Sequence, residues 1–123
     1  MPPVLLVFLG GGAGSAARYL ISVTLARATG AYPVGTLVVN LTGSFLMACL
    51  MYLFAQGALS PAARWLLATG FLGGLTTYSS FNYETTHLFQ SGLTGLAVLN
   101  WFATNAGCLL AGLLGFWFAT RLA

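Results

Sequence analysis

The sequence predicts an all-α membrane protein: one domain of four transmembrane helices, the third of them broken. Three features of the chain require this. First, 59% of its 123 residues are hydrophobic and only 4% are charged, whereas a soluble domain carries roughly a quarter charged residues. Four arginines and one glutamate, with no lysine or aspartate, cannot build a water-facing surface, so the surface faces lipid. Second, the apolar residues fall into four stretches divided by short turns. At about 20 residues per span, the length holds four spans and short loops. Third, one stretch is interrupted midway by glycines, threonines and an asparagine, which an undisturbed lipid-facing helix excludes.

Span 1 runs from Val4 to Ala26. It has no basic flank and enters a glycine-rich stretch, so it reads as a retained span and not a cleaved signal. Thr29-Gly30-Ala31-Tyr32-Pro33 is a turn by its Gly and Pro. Span 2 covers Val34 to Phe54, and Gln56 to Pro61 is the second loop. Ser60 and Pro61 fit a helix N-cap followed by the first helical position. Span 3 covers Ala62 to Phe89, Gln90 to Gly95 is the third loop, and span 4 runs from Leu96 to Thr120. Small residues recur four apart at Gly10 and Gly14, Gly11 and Ser15, and Gly107, Ala111 and Gly115, the pattern of close helix–helix contact.

Several function classes are disfavoured at once. The arginines stand at positions 18, 27, 64 and 121, with no basic patch for nucleic acid. Cys49 and Cys108 lie in apolar stretches and make neither a disulfide framework nor a metal motif. Glu84-Thr85-Thr86-His87 has the Glu-x-x-His spacing of bundle di-iron sites. Those sites need further carboxylates, and the chain has none. No nucleophile, base and orienting acid can be assembled, so the chain does not read as an enzyme.

Orientation is set by the Arg and Lys of short loops. With an even number of spans, Arg64 and Arg121 share one side and Arg27 lies on the other. That is almost no bias, which leaves both single and dual insertion open. Four helices enclose little space, which favours a dimer. Two opposite copies can pair about an axis in the membrane plane, the symmetry many transporters build within one chain.

Four sets of intramembrane polar residues are candidates for function. The segment from Gly70 to Asn82 pairs two glycines with two threonines in mid-span, where local unwinding frees backbone groups for an ion. Tyr78 and Phe81, three apart, present electropositive ring edges that hold an anion without a full charge. Asn40 and Ser44 on span 2, and Asn100, Thr104 and Cys108 on span 4, make polar stripes. These serve either interhelical hydrogen bonding or replacement of an anion's hydration shell. Arg18, deep in span 1, either snorkels to an interface or lines a watery mouth that attracts anions.

Together these residues resemble the Fluc, or CrcB-type, family of bacterial fluoride channels. Gly11-Gly12-Ala13-Gly14 with Arg18-Tyr19 looks like its first-span motif. Gly35-Thr36-Leu37, Asn40 and Gly43-Ser44-Phe45 look like its second. Gly70-Phe71-Leu72-Gly73-Gly74-Leu75-Thr76-Thr77-Tyr78-Ser79-Ser80-Phe81 looks like its third-span signature, and Asn100 to Gly107 fits its variable fourth span. The resemblance implies a fluoride-selective channel in the bacterial inner membrane that exports fluoride passively and relieves its toxicity. It implies an antiparallel, dual-topology homodimer with two pathways. Asn40, Tyr78, Ser80, Phe81, Asn100 and Thr104 would form the fluoride path, and Arg18 a vestibule. Backbone carbonyls of Gly73 and Thr76 would hold a structural sodium ion at the dimer centre. Position 78 is Tyr where the family more often has Phe, which adds a hydroxyl to the ring edge.

Two transport alternatives compete. A small multidrug-type exporter needs an acidic residue in its first span, where this chain has only Arg18. A fluoride/proton exchanger would run through Glu84 or His87, which passive flow does not need. A purely structural subunit would not need the interrupted third span.

Overall fold

The computed structural model describes residues 1–123 and contains helices and no strands. Helix α1 is Pro3–Thr29 and α2 is Val34–Ala55. Helix α3 runs without interruption through Pro61–Ala63, Arg64–Leu72 and Gly73–Leu75, its middle segment wound in wide π-helical turns. Helix α4 is Tyr78–Gln90 and α5 is Thr94–Leu122. The ends of α1, α2 and α5 lie within a few residues of the expected spans 1, 2 and 4, and the expected third span is occupied by two helices, α3 and α4.

Local chemistry explains where helices start and stop. Pro3 occupies the first turn of α1, where its missing N–H costs nothing. The Ser60 hydroxyl accepts from Ala63 N, capping α3 ahead of Pro61. Gly30, with φ +65°, ends α1 in a backbone conformation that side chains disfavour.

Helices α1, α2 and α5 are each long and apolar enough to cross a membrane. At about 1.5 Å per residue, they exceed the ~30 Å hydrocarbon core. Only 20 of 123 residues are buried, which leaves rings and aliphatic chains such as Phe8, Leu109, Leu113 and Trp117 facing outward. In water this would be an enormous adhesive patch, and in lipid it is the ordinary outer surface. This is a membrane protein.

Inside, glycines let backbones touch. A Cβ on Gly14 would lie 2.9 Å from Leu75 N, and one on Gly70 would lie 3.0 Å from the Gly10 Cα. Helix α1 therefore packs on α3 backbone to backbone. Gly115 brings α5 equally close to the Phe45 backbone of α2, where the Cys49 thiol donates to Gly115 O at 3.0 Å. Val39, Leu72 and Leu75 form the small apolar core between α2 and α3, bordered by Ile21, Met47 and Phe71.

Candidate functional site

The site is built around the two residues between α3 and α4. Thr76 (φ −83°, ψ 150°) and Thr77 (φ −153°, ψ 124°) are extended. Thr76 N still donates to Leu72 O at 3.0 Å, but the backbone groups of Thr77 lack helical partners, and a side chain replaces them. Asn40 of α2 bridges Thr77 from both sides: Thr77 N donates to Asn40 Oδ1 at 2.8 Å, and Asn40 Nδ2 donates to Thr77 O at 3.0 Å. The Thr77 hydroxyl caps α4 by accepting from Ser80 N at 3.3 Å. Arg18 Nε of α1 donates to Gly74 O at 3.1 Å, with the Ser15 hydroxyl beside it at 3.4 Å. In a continuous helix, Gly73 O would accept from Thr77 N and Thr76 O from Ser80 N. Both donors are spent elsewhere, and Leu75 O likewise lacks its helical donor; carbonyls freed in this way can ligate a hard cation.

Two cavities flank this break. One, of about 300 Å³, is lined by Asn40, Tyr78, Phe81, Thr104, Asn105 and Cys108, among others. Tyr78 and Phe81 meet edge to face with centroids 5.4 Å apart. Phe81 is only 2% exposed and Tyr78 is 72% exposed, so one ring forms the cavity wall and the other its rim. Asn40 spends one amide hydrogen on Thr77 and has a second to offer. The second cavity, of about 380 Å³, is lined by Ser15, Arg18, Tyr19, Ser22, Thr36, Ser80 and Glu84. Glu84 Oε1 accepts from the Thr36 hydroxyl at 2.7 Å, and its buried Oε2 has no hydrogen-bond partner.

The residues singled out from sequence therefore divide. Asn40, Tyr78, Phe81 and Thr104 share the first cavity, whereas Ser80 and Arg18 share the second. Asn100, 1% exposed, enters neither. It donates to the Thr85 hydroxyl at 2.9 Å and ties α5 to α4.

The family model described as CrcB-like protein, Camphor Resistance (CrcB), matches residues 5–116. This chain belongs to the CrcB-like family. It is 50% identical over 113 residues to a protein of Anaeromyxobacter sp. (strain K) named fluoride-specific ion channel FluC, an alignment covering 90% of each chain. A protein of the same name from Magnetococcus marinus is 47% identical over 111 residues, 89% of this chain and 90% of that one. Fluoride-specific ion channel FluC 1 of Yersinia pseudotuberculosis serotype I is 42% identical over 114 residues, 92% of this chain and 90% of the other.

Within this CrcB-like chain, sequence reasoning missed Asn105 and left Cys108 out of the fluoride path. Asn105 sits one position beyond the polar stripe of α5, and Cys108, which belongs to that stripe but is absent from the fluoride path the resemblance implies, is half-buried at the cavity wall. Their signal was the stripe itself, which drifts by about 40° for every four residues of a 3.6-residue helix. Asn100 and Cys108 therefore look toward different neighbours.

Proposed function

We propose that this chain is a fluoride-specific channel of the bacterial inner membrane that carries fluoride passively out of the cell. The observation that carries this reading is the match along nine-tenths of the chain to proteins named fluoride-specific ion channels. The first cavity supports it chemically. Its lining offers an amide hydrogen from Asn40, a hydroxyl from Thr104 and the ring edges of Tyr78 and Phe81, with no fixed charge. Such donors replace part of a small anion's hydration shell without trapping it, as conduction requires. Arg18, across the break, raises the local anion concentration in the second cavity. Fluoride entering an acidified cell as HF dissociates inside, and the negative interior drives the anion out.

In this reading α3 and α4 together make the third span, broken at Thr76 and Thr77, and the working unit is an antiparallel, dual-topology homodimer. One exposed face of α4 supports the dimer: Ser79, Asn82, Tyr83, Thr86, His87 and Gln90 follow helical spacing along it. Lipid leaves such a row unsatisfied, and a second copy covers it. Asn100 has a structural role in tying α4 to α5, while Ser80 belongs to the vestibule side with Arg18. A sodium ion fits the Gly73 and Thr76 carbonyls freed at the break. Two copies would supply four such oxygens, and the bound ion would neutralise them at the dimer centre.

Liposomes loaded with potassium fluoride test the function. Addition of valinomycin should release fluoride to an external electrode, chloride should stay inside, and Phe81→Ile should slow efflux by about tenfold or more. Efflux that requires a proton gradient replaces the channel with an exchanger centred on Glu84. No movement of fluoride in either condition refutes the function.

A further inference from the structure

The chain has two cysteines, and they differ in kind. Cys49 is 7% exposed, and its thiol is bonded to Gly115 O. Cys108 is half-buried, has no hydrogen bond within the chain, and lines the same cavity as Asn40, Phe81 and Thr104. A second feature marks that wall as a ligand surface. Thr104 is only 8% exposed, yet its hydroxyl makes no hydrogen bond within the chain. The other buried threonines differ: Thr36 donates to Glu84 Oε1 and Thr85 to Phe81 O. A threonine inside a helix normally returns its hydroxyl to the carbonyl four residues back. Thr104 leaves that hydroxyl for whatever occupies the cavity, and Cys108 stands one turn further along the same helix.

We infer that Cys108 is a modification site in the anion path, and that small thiol-directed electrophiles close the path by reacting there. This rests on the fluoride-channel reading for its functional consequence, though not for the accessibility of the thiol. The chemistry with an alkyl methanethiosulfonate is a simple exchange. The Cys108 thiolate attacks the sulfenyl sulfur, a mixed disulfide forms, and methanesulfinate leaves with the electron pair of the broken S–S bond. The thiol proton goes to water. The product replaces a hydrogen with a methylthio group at the cavity wall, narrowing it and putting apolar surface where a desolvated anion needs donors. Cys49 does not react in the folded protein, because reagent cannot reach it.

Methyl methanethiosulfonate added to the reconstituted protein tests this, with valinomycin-driven fluoride efflux and peptide mass mapping read on the same sample. Wild type should lose efflux by about tenfold and regain it with dithiothreitol. Cys49→Ala should behave as wild type, and Cys108→Ala should be indifferent to the reagent. Mapping should find the adduct on Cys108 alone until the protein is unfolded. An adduct on Cys108 with efflux unchanged overturns the inference, as does Cys108 remaining unlabelled in the native protein. If untreated protein moves no fluoride, the channel reading fails by itself. The labelling pattern then decides the thiol: Cys108 reactive with Cys49 silent upholds the accessible wall, and any other pattern refutes it.

Discussion

Replacing Asn40 tests whether one side chain holds the break between α3 and α4. In Asn40→Ala, Thr77 loses the acceptor for its N–H and the donor for its C=O, at 2.8 and 3.0 Å. Asn40 is 7% exposed, so water reaches the vacated site poorly. An unsatisfied buried polar group costs about 1–3 kcal/mol. Two such groups give about 2–4 kcal/mol after partial rescue by water in the adjoining cavity. Asn40→Asp separates structure from conduction. Its carboxylate keeps the acceptor for Thr77 N, loses the donor to Thr77 O and places a negative charge on the path. We expect Asn40→Asp to lose less stability than Asn40→Ala and at least as much fluoride efflux. Tryptophan fluorescence on heating in detergent follows unfolding, and liposome efflux follows conduction. If Asn40→Ala melts with the wild type, the bridge does not hold the break and the reasoning fails.

Other predictions follow the same geometry. Gly14→Ala puts a methyl group into the Phe71 and Leu75 backbone and should cost about 1–3 kcal/mol. Gly12→Ala, with open space around it, should be neutral or stabilising by up to about 1 kcal/mol. Equal melting temperatures for the two variants would sink the backbone-contact account of α1 and α3. Thr36→Val removes the donor to Glu84 Oε1 at 2.7 Å and should cost about 1–3 kcal/mol. Because that carboxylate's other oxygen has no partner, Glu84→Gln should change the cost of Thr36→Val. Strict additivity in the double-mutant cycle would show that the pair does not interact.

Much of this was legible in the chain. Turn residues mark all three loops, and Ser60 with Pro61 marks the start of α3 because capping is a local matter of one hydroxyl and one missing N–H. The two extended residues between α3 and α4 fall inside the segment from Gly70 to Asn82 that the sequence marks. The adjacent glycines and the two threonines together suggest unwinding; the glycines at 73 and 74 remain helical, and Thr76 and Thr77 take the extended conformation. Gly74 is committed to α1, where a Cβ would meet the Gly11 backbone. Thr77 is held extended by Asn40, 37 positions away in sequence, which supplies the hydrogen bonds it lacks. No local pattern carries that partnership. The division of Ser80 from Tyr78 and Phe81, and of Asn100 from Thr104, is likewise tertiary. It depends on which neighbour each side of α4 and α5 meets. The π-helical turns of α3 have no evident mark in the sequence.

The polar face of α4 also bears on how the protein is made. Helices α1, α2 and α5 carry enough apolar length to enter a bilayer unaided. Helix α4 is 13 residues long and presents Ser79, Asn82, Thr86 and His87 outward, which hydrocarbon alone rejects. Its residence in the membrane is therefore a folding event and not a partitioning event. Asn100 and Thr85 hold it to α5 on one side, and in the proposed dimer a second copy covers the other. Without that second copy, the polar face of this segment would stay at the membrane surface. In the proposed dimer, pairing would therefore complete the insertion of α4 as well as the channel.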